Sequence, residues 1–245
     1  MITAIRDVFA GSARYAWACP LLFAVPLVAE FAQHVAEVHI GLYDSAARAQ
    51  AMENHPLRMG LGYLKILSLF LTTYWAVRFW GMDNSAREAR RLDPVALRLF
   101  VWVVAWGVLW VVINMVPGWL ALDRPMLISL TVGLLLVSIT LEICLSAWKG
   151  AAALGNPRIG FMRSFTLIRG SFWWAVGLFL LTVLPLMFAH YVAFGLALGA
   201  GDARLWALMV LDSVLTAYLG VVIAANVYVV GRRISERHGE TLRPG

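Results

Sequence analysis

The sequence predicts an all-α integral membrane protein with six transmembrane helices, and three observations carry that prediction. Of its 245 residues, 61% are hydrophobic and 14% charged, against about 25% charged in soluble domains. The apolar residues come in blocks: Leu99 to Gly118 holds no charge and Ser129 to Cys144 holds one, Glu142. A helix needs about 20 such residues to cross a bilayer core. Arginines and lysines are concentrated in alternate connections, as membrane topology demands.

Taken in order, the spans run over about 13–38, 60–81, 96–118, 126–149, 169–198 and 204–231. The first and fifth are long. Arg6 and Arg14 precede one and Arg163 and Arg169 the other, so each begins as an amphipathic piece on the membrane surface before turning inward. The second connection carries Arg87, Arg90, Arg91 and Arg98, and the fourth Lys149, Arg158, Arg163 and Arg169. The tail adds Arg232, Arg233, Arg237 and Arg243, whereas the third and fifth connections have one arginine each, balanced by an aspartate. The first balances Arg48 and Arg58 with Asp44 and Glu53. This alternation places both termini in the cytoplasm. Trp80, Trp148, Trp173 and Trp174 mark the inner interface and Trp119 and Trp206 the outer one. The net charge of +6 therefore reads as topology and headgroup contact, with no nucleic-acid partner. Cys19 and Cys144 both lie in apolar segments and form no disulfide or metal-finger pattern.

The chain also repeats itself. "GSARYAWACPLLFAVPLV" from Gly11 and "GSFWWAVGLFLLTVLPLM" from Gly170 both open Gly-Ser and place Pro-Leu at the same distance. Gly81, Ser85 and Arg87 likewise match Gly231, Ser235 and Arg237. The expected organisation is one domain over 1–245, with parallel repeat units at about 1–90 and 160–240 and helices three and four between them. Pro26 and Pro185 are the matched kink positions, since an internal proline removes a helical hydrogen bond.

An arginine-bearing aromatic lead, "Arg163-Ser-Phe-Thr-Leu-Ile-Arg-Gly-Ser-Phe-Trp-Trp174", runs into a leucine-rich helix containing a proline, and the arrangement occurs twice in six helices. This pattern resembles the membrane domain found ahead of some bacterial glycerophosphoryl diester phosphodiesterases, and related stand-alone membrane proteins. The resemblance covers most of the chain and implies a six-helix architecture with a lipid-facing accessory role. It implies no hydrolysis, because the catalytic domain of those enzymes is a separate soluble barrel.

Ionisable groups at membrane depth are costly and point to function. Glu30, His34 and Glu37 share one helical face at i, i+4 and i+7, followed by His39. His190, Asp212 and Asn114 fall in the same half of the bilayer by the assigned topology. Glu30, His34, His190, Asp212 and Asn114 are thus candidates for one polar cluster. Carboxylate and imidazole are a ligand set for zinc and equally a proton relay; the alternative is an outer-end polar face with Glu37 and His39 among headgroups. No His-Glu-x-x-His and no pair of Glu-x-x-His motifs occurs, so the pattern assigns no metal and no cofactor. Arg78 is expected to reach the headgroups at the inner end, and Lys149 to snorkel beside Glu142.

There is no P-loop and no nucleophile elbow. The leading expectation is a non-enzymatic inner-membrane protein, lipid-handling or accessory to a membrane complex, with lipids and other membrane subunits as partners. A small transporter or channel built on the polar cluster is the alternative, and a membrane-embedded enzyme comes third.

Overall fold

The computed structural model describes residues 1–120 and 122–244, with Trp119 described by its backbone only. All regular structure among them is helical, and six helices are long and apolar enough to cross a membrane.

α1 (Ile2–Ala18) and α2 (Pro20–His39) replace the single first span. The break falls at Cys19, whose φ of −126° and ψ of 54° are not helical. Proline disfavours the α-helical conformation in the residue before it, yet suits the first turn of the next helix. α2 is followed by a 3-10 turn at Leu42–Asp44 and by α3 (Ala46–Met52). α4 (Pro56–Gly81), α6 (Pro94–Trp119) and α7 (Arg124–Cys144) each carry a proline in the first turn and a side-chain cap, from His55, Asp93 and Asp123 respectively. The short α5 (Ala86–Arg90) lies between α4 and α6. α8 (Ser146–Leu154) follows α7 across Leu145, so the predicted fourth span ends earlier than expected. The Ser146 hydroxyl donates back to the carbonyls of Glu142 and Ile143, a local bond that competes with straight continuation. α9 (Phe161–Leu167) is the short amphipathic lead into α10 (Phe172–Ala197), and α11 (Asp202–Glu236) completes the chain.

α11 is the axis of the bundle and packs on α1, α2, α4, α8 and α10. Small residues let neighbours approach it closely. A Cβ on Gly231 would lie 2.9 Å from the Ser146 carbonyl oxygen, so α8 rests backbone-to-backbone against α11. α8 itself is buried along nearly its whole length, through Ala147, Gly150 and Ala151 to Leu154. Arg78 does not reach outward as expected. It is 1% exposed and donates from Nη1 to the Ala153 carbonyl and from Nε to that of Glu88, satisfying carbonyls at the ends of α8 and α5. The termini share one end of the bundle: Arg232 faces Asp7 at 4.0 Å and Arg243 bonds Asp83 at 2.8 Å.

α6 and α7 are the loosely held pair, with most side chains outside the core. Pro26 and Pro185 both lie inside helices, but Pro26 is buried and Pro185 exposed. The prolines therefore do not line a common interior. Gly11 lies within α1, whereas Gly170 turns the chain before α10 with φ of +75°.

Candidate functional site

Two regions depart from an ordinary packed bundle. The first is a buried charge network in the half away from the termini. The amphipathic face of α2 that carries Glu30, His34 and Glu37 turns inward, where α4, α10 and α11 meet it. His34 Nε2 lies 3.0 Å from Asp212 Oδ2 and 3.5 Å from Glu30 Oε1. Asp212 Oδ1 contacts His190 Nδ1 at 2.8 Å, and Thr216 Oγ1 lies 3.3 Å from the same nitrogen. Glu37 is 3% exposed rather than among headgroups. Its Oε1 accepts from Gln33 at 2.8 Å and from Arg58 at 2.9 Å. Lys65 Nζ pairs with Glu30 Oε2 at 2.9 Å.

Glu30, His34, His190 and Asp212 are therefore brought together. Asn114 is not. Its amide donates to the Trp110 carbonyl at 2.7 Å and to Ser138 at 3.1 Å, tying α6 to α7. The loose packing of α6 carries it away from α2 and α11. Four members of the network are not marked as site residues by the sequence pattern: Tyr43, Arg58, Lys65 and Thr216. Lys65 had a legible signal, a charge inside the apolar run "GLGYLKILSLFL". Arg58 reads only as loop charge, and Tyr43 and Thr216 have no sequence signature.

The partners around Tyr43, Glu37 and His34 assign their protons. Tyr43 is in the 3-10 turn beyond α2, and burial pushes its phenol far above the usual tyrosine range. It remains a donor and gives its proton to Glu37 Oε2 at 2.7 Å. The Tyr43 oxygen and Glu37 Oε2 then both face His34 Nδ1, at 3.0 and 3.1 Å, as acceptors. With Asp212 on Nε2, both ring nitrogens meet acceptors, the environment of a doubly protonated imidazole. Charge agrees: three carboxylates against Arg58 and Lys65 leave one positive charge to be supplied, and buried charge in a bilayer must be balanced.

The second region is an apolar cleft where α6 and α7 lean away from α4. Two connected spaces of about 470 and 290 Å³ share Ile66, Phe70, Ser138, Glu142 and Lys149. Ligand sites commonly span about 300–1,000 Å³. Trp106 and Trp110 form part of one wall, while Trp102 is exposed on the outside. The Tyr63 hydroxyl meets Met115 sulfur at 3.0 Å across the gap. Midway, the Phe70 ring fills the space a side chain at Gly107 would take, with its nearest carbon 2.1 Å from a Cβ built there. Lys149 lies at the base, 6% exposed and ion-paired to Glu142.

Fold and sites together define a multi-pass helical membrane protein with a charge network in one half and an apolar cleft beside α4. No family model, no curated protein and no solved structure matches the chain.

Proposed function

We propose that the protein is a lipid-binding protein of the bacterial inner membrane, with both termini in the cytoplasm, serving a lipid-handling or accessory role without chemistry of its own. The observation that carries this reading is the cleft between α4, α6 and α7. Its walls are apolar and aromatic, while its base holds the Glu142–Lys149 pair, a layout that suits an acyl chain with its polar end at the pair. The looseness of α6 and α7 suits a cleft that admits a chain from the bilayer. The resemblance to the membrane domain ahead of glycerophosphoryl diester phosphodiesterases supports the same reading. The reading includes a parallel internal repeat suggested by the sequence, in which α1, α2 and α4 would correspond to α9, α10 and α11.

The test is native mass spectrometry of the protein released from mild detergent. Retained phospholipid is expected in wild type, and its loss in Ile66→Trp, which fills the cleft. Leu135→Trp, on the exposed side of α7, serves as control and should keep the lipid. Equal retention in both variants would overturn the reading. A second reading, a small transporter, is favoured by the convergence of Glu30, His34, His190 and Asp212. Substrate-dependent flux into vesicles that stops in Asp212→Asn would select it.

A further inference from the structure

We propose that Glu30, His34 and Asp212 form a binding site for one divalent transition-metal ion of the zinc type. The inference is independent of the lipid reading, because the cleft and the network share no residue.

The donor set is one imidazole nitrogen and two carboxylate oxygens, all within 4.8 Å of one another. Bonds of about 2.0–2.2 Å at tetrahedral angles put neighbouring donor atoms about 3.3–3.5 Å apart. His34 Nε2 is 3.0 Å from Asp212 Oδ2 and 3.5 Å from Glu30 Oε1. The His34–Asp212 pair opens slightly to admit an ion, and the third pair, Glu30 and Asp212, lies within 4.8 Å. Three protein ligands leave a fourth position open, as in catalytic and transport sites rather than closed structural ones.

The second observation is that every donor is already held from behind. His34 Nδ1 faces Glu37 and Tyr43. Asp212 Oδ1 faces His190 at 2.8 Å, and Glu30 Oε2 faces Lys65 at 2.9 Å. A metal-bound histidine almost always donates its other N–H to such a partner, which fixes ring orientation, and ligating carboxylates are held likewise. Here the three outward atoms are engaged while the three inward atoms point at one another. Glu30 Oε2 is fully buried and accepts no well-aligned hydrogen bond, so the ion pair with Lys65 is what holds it.

Binding exchanges one cation for another. The metal ion takes Nε2 of His34, whose proton leaves to solvent, while Nδ1–H stays on Glu37 and Tyr43. The network then carries one positive charge more than before, and an anionic fourth ligand, hydroxide or a carboxylate, restores balance. Imidazole with carboxylates suits zinc and its neighbours; magnesium and calcium favour all-oxygen shells. His190 and Lys65 are the partly exposed members of the network, 23% and 20% accessible.

The experiment uses the full chain in mild detergent, stripped with chelator and loaded with zinc. One zinc per chain is expected to survive desalting, with an X-ray absorption shell of one imidazole and otherwise oxygen at about 2.0–2.2 Å. A hundredfold excess of magnesium should not displace it. His34→Gln and Asp212→Asn should each abolish stoichiometric retention, and Glu37→Gln should weaken it by about 10–100-fold. His39→Gln, on the exposed side of α2, should change nothing. If a variant does not fold, the wild-type spectrum decides alone. Sulfur or several imidazoles in the shell, or no retained zinc, would overturn the proposal. Full retention in folded His34→Gln would do the same. The lipid content of the same samples is read separately, so failure of one inference leaves the other standing.

Discussion

Replacing Lys65 with methionine isolates the contribution of the buried charge network to stability. Glu30 is 1% exposed and Lys65 sits 2.9 Å from it. At an effective dielectric of about 20, that separation corresponds to about 6 kcal/mol of attraction, most of it offset by the cost of removing both groups from water. The pair as a whole is thus worth little, while breaking it is costly. Lys65→Met keeps the stem and leaves the buried network one negative charge in excess at Glu30, and removal of one partner of a buried pair typically costs about 3–5 kcal/mol. For a chain of this size, that lowers the unfolding midpoint by roughly 6–20 °C. Removing both charges in Lys65→Met with Glu30→Leu leaves no stranded ion and should recover most of the loss. The assay is thermal unfolding in mild detergent with chelator present, run as a double-mutant cycle. A single variant as stable as wild type, or a double variant that loses the sum of both single effects, would refute the argument.

Gly231→Ala should cost about 1–3 kcal/mol by overpacking, because its Cβ would meet the α8 backbone at 2.9 Å; a chemical-denaturation midpoint measures it. Asp93→Ala should cost about 1 kcal/mol through loss of the α6 cap. The backbone N–H groups of Ala96 and Val95 hold the Asp93 carboxyl below its ordinary 3.8, so its stabilisation is complete above that pH and is lost as pH falls through the lowered value. An acid-titration melt should show wild type and Asp93→Ala converging at low pH. Cysteines placed at Asn84 and Glu236 should react with an impermeant maleimide only in opened cells, and one at Gln50 should react in intact cells. Labelling of Glu236→Cys from outside would reverse the orientation.

Six spans were legible because apolar runs of bilayer length have no other stable use. Pro20, Pro56, Pro94 and Pro125 open helices in the structure, suited to a first turn by the fixed φ of the ring, but the apolar runs alone set the expected spans. The division of the first and fourth spans was less visible. One depends on a proline that also resembles an internal kink, and the other on the close approach of α8 to Gly231, far along the chain in α11. The inward face of α2 was readable from i, i+4 and i+7 spacing, but its partners were not. Arg58 and Lys65 converge on it only because α4 packs against α2, and Asn114 parts from it because α6 leans away. Arg78 was misplaced for a similar reason: its carbonyl partners belong to α5 and α8, and no local pattern in α4 announces them.

The central claim, that the cleft holds a lipid chain, is tested most directly by photo-crosslinking with a phospholipid carrying a diazirine in its acyl tail, incorporated into membranes containing the full chain. The expected adducts lie in two short peptides, around Ile66 and Phe70 on α4 and around Val111 and Met115 on α6, and they disappear in Ile66→Trp. Adducts spread evenly over the exposed faces of α6, α7 and α10, and unchanged by that substitution, would contradict it.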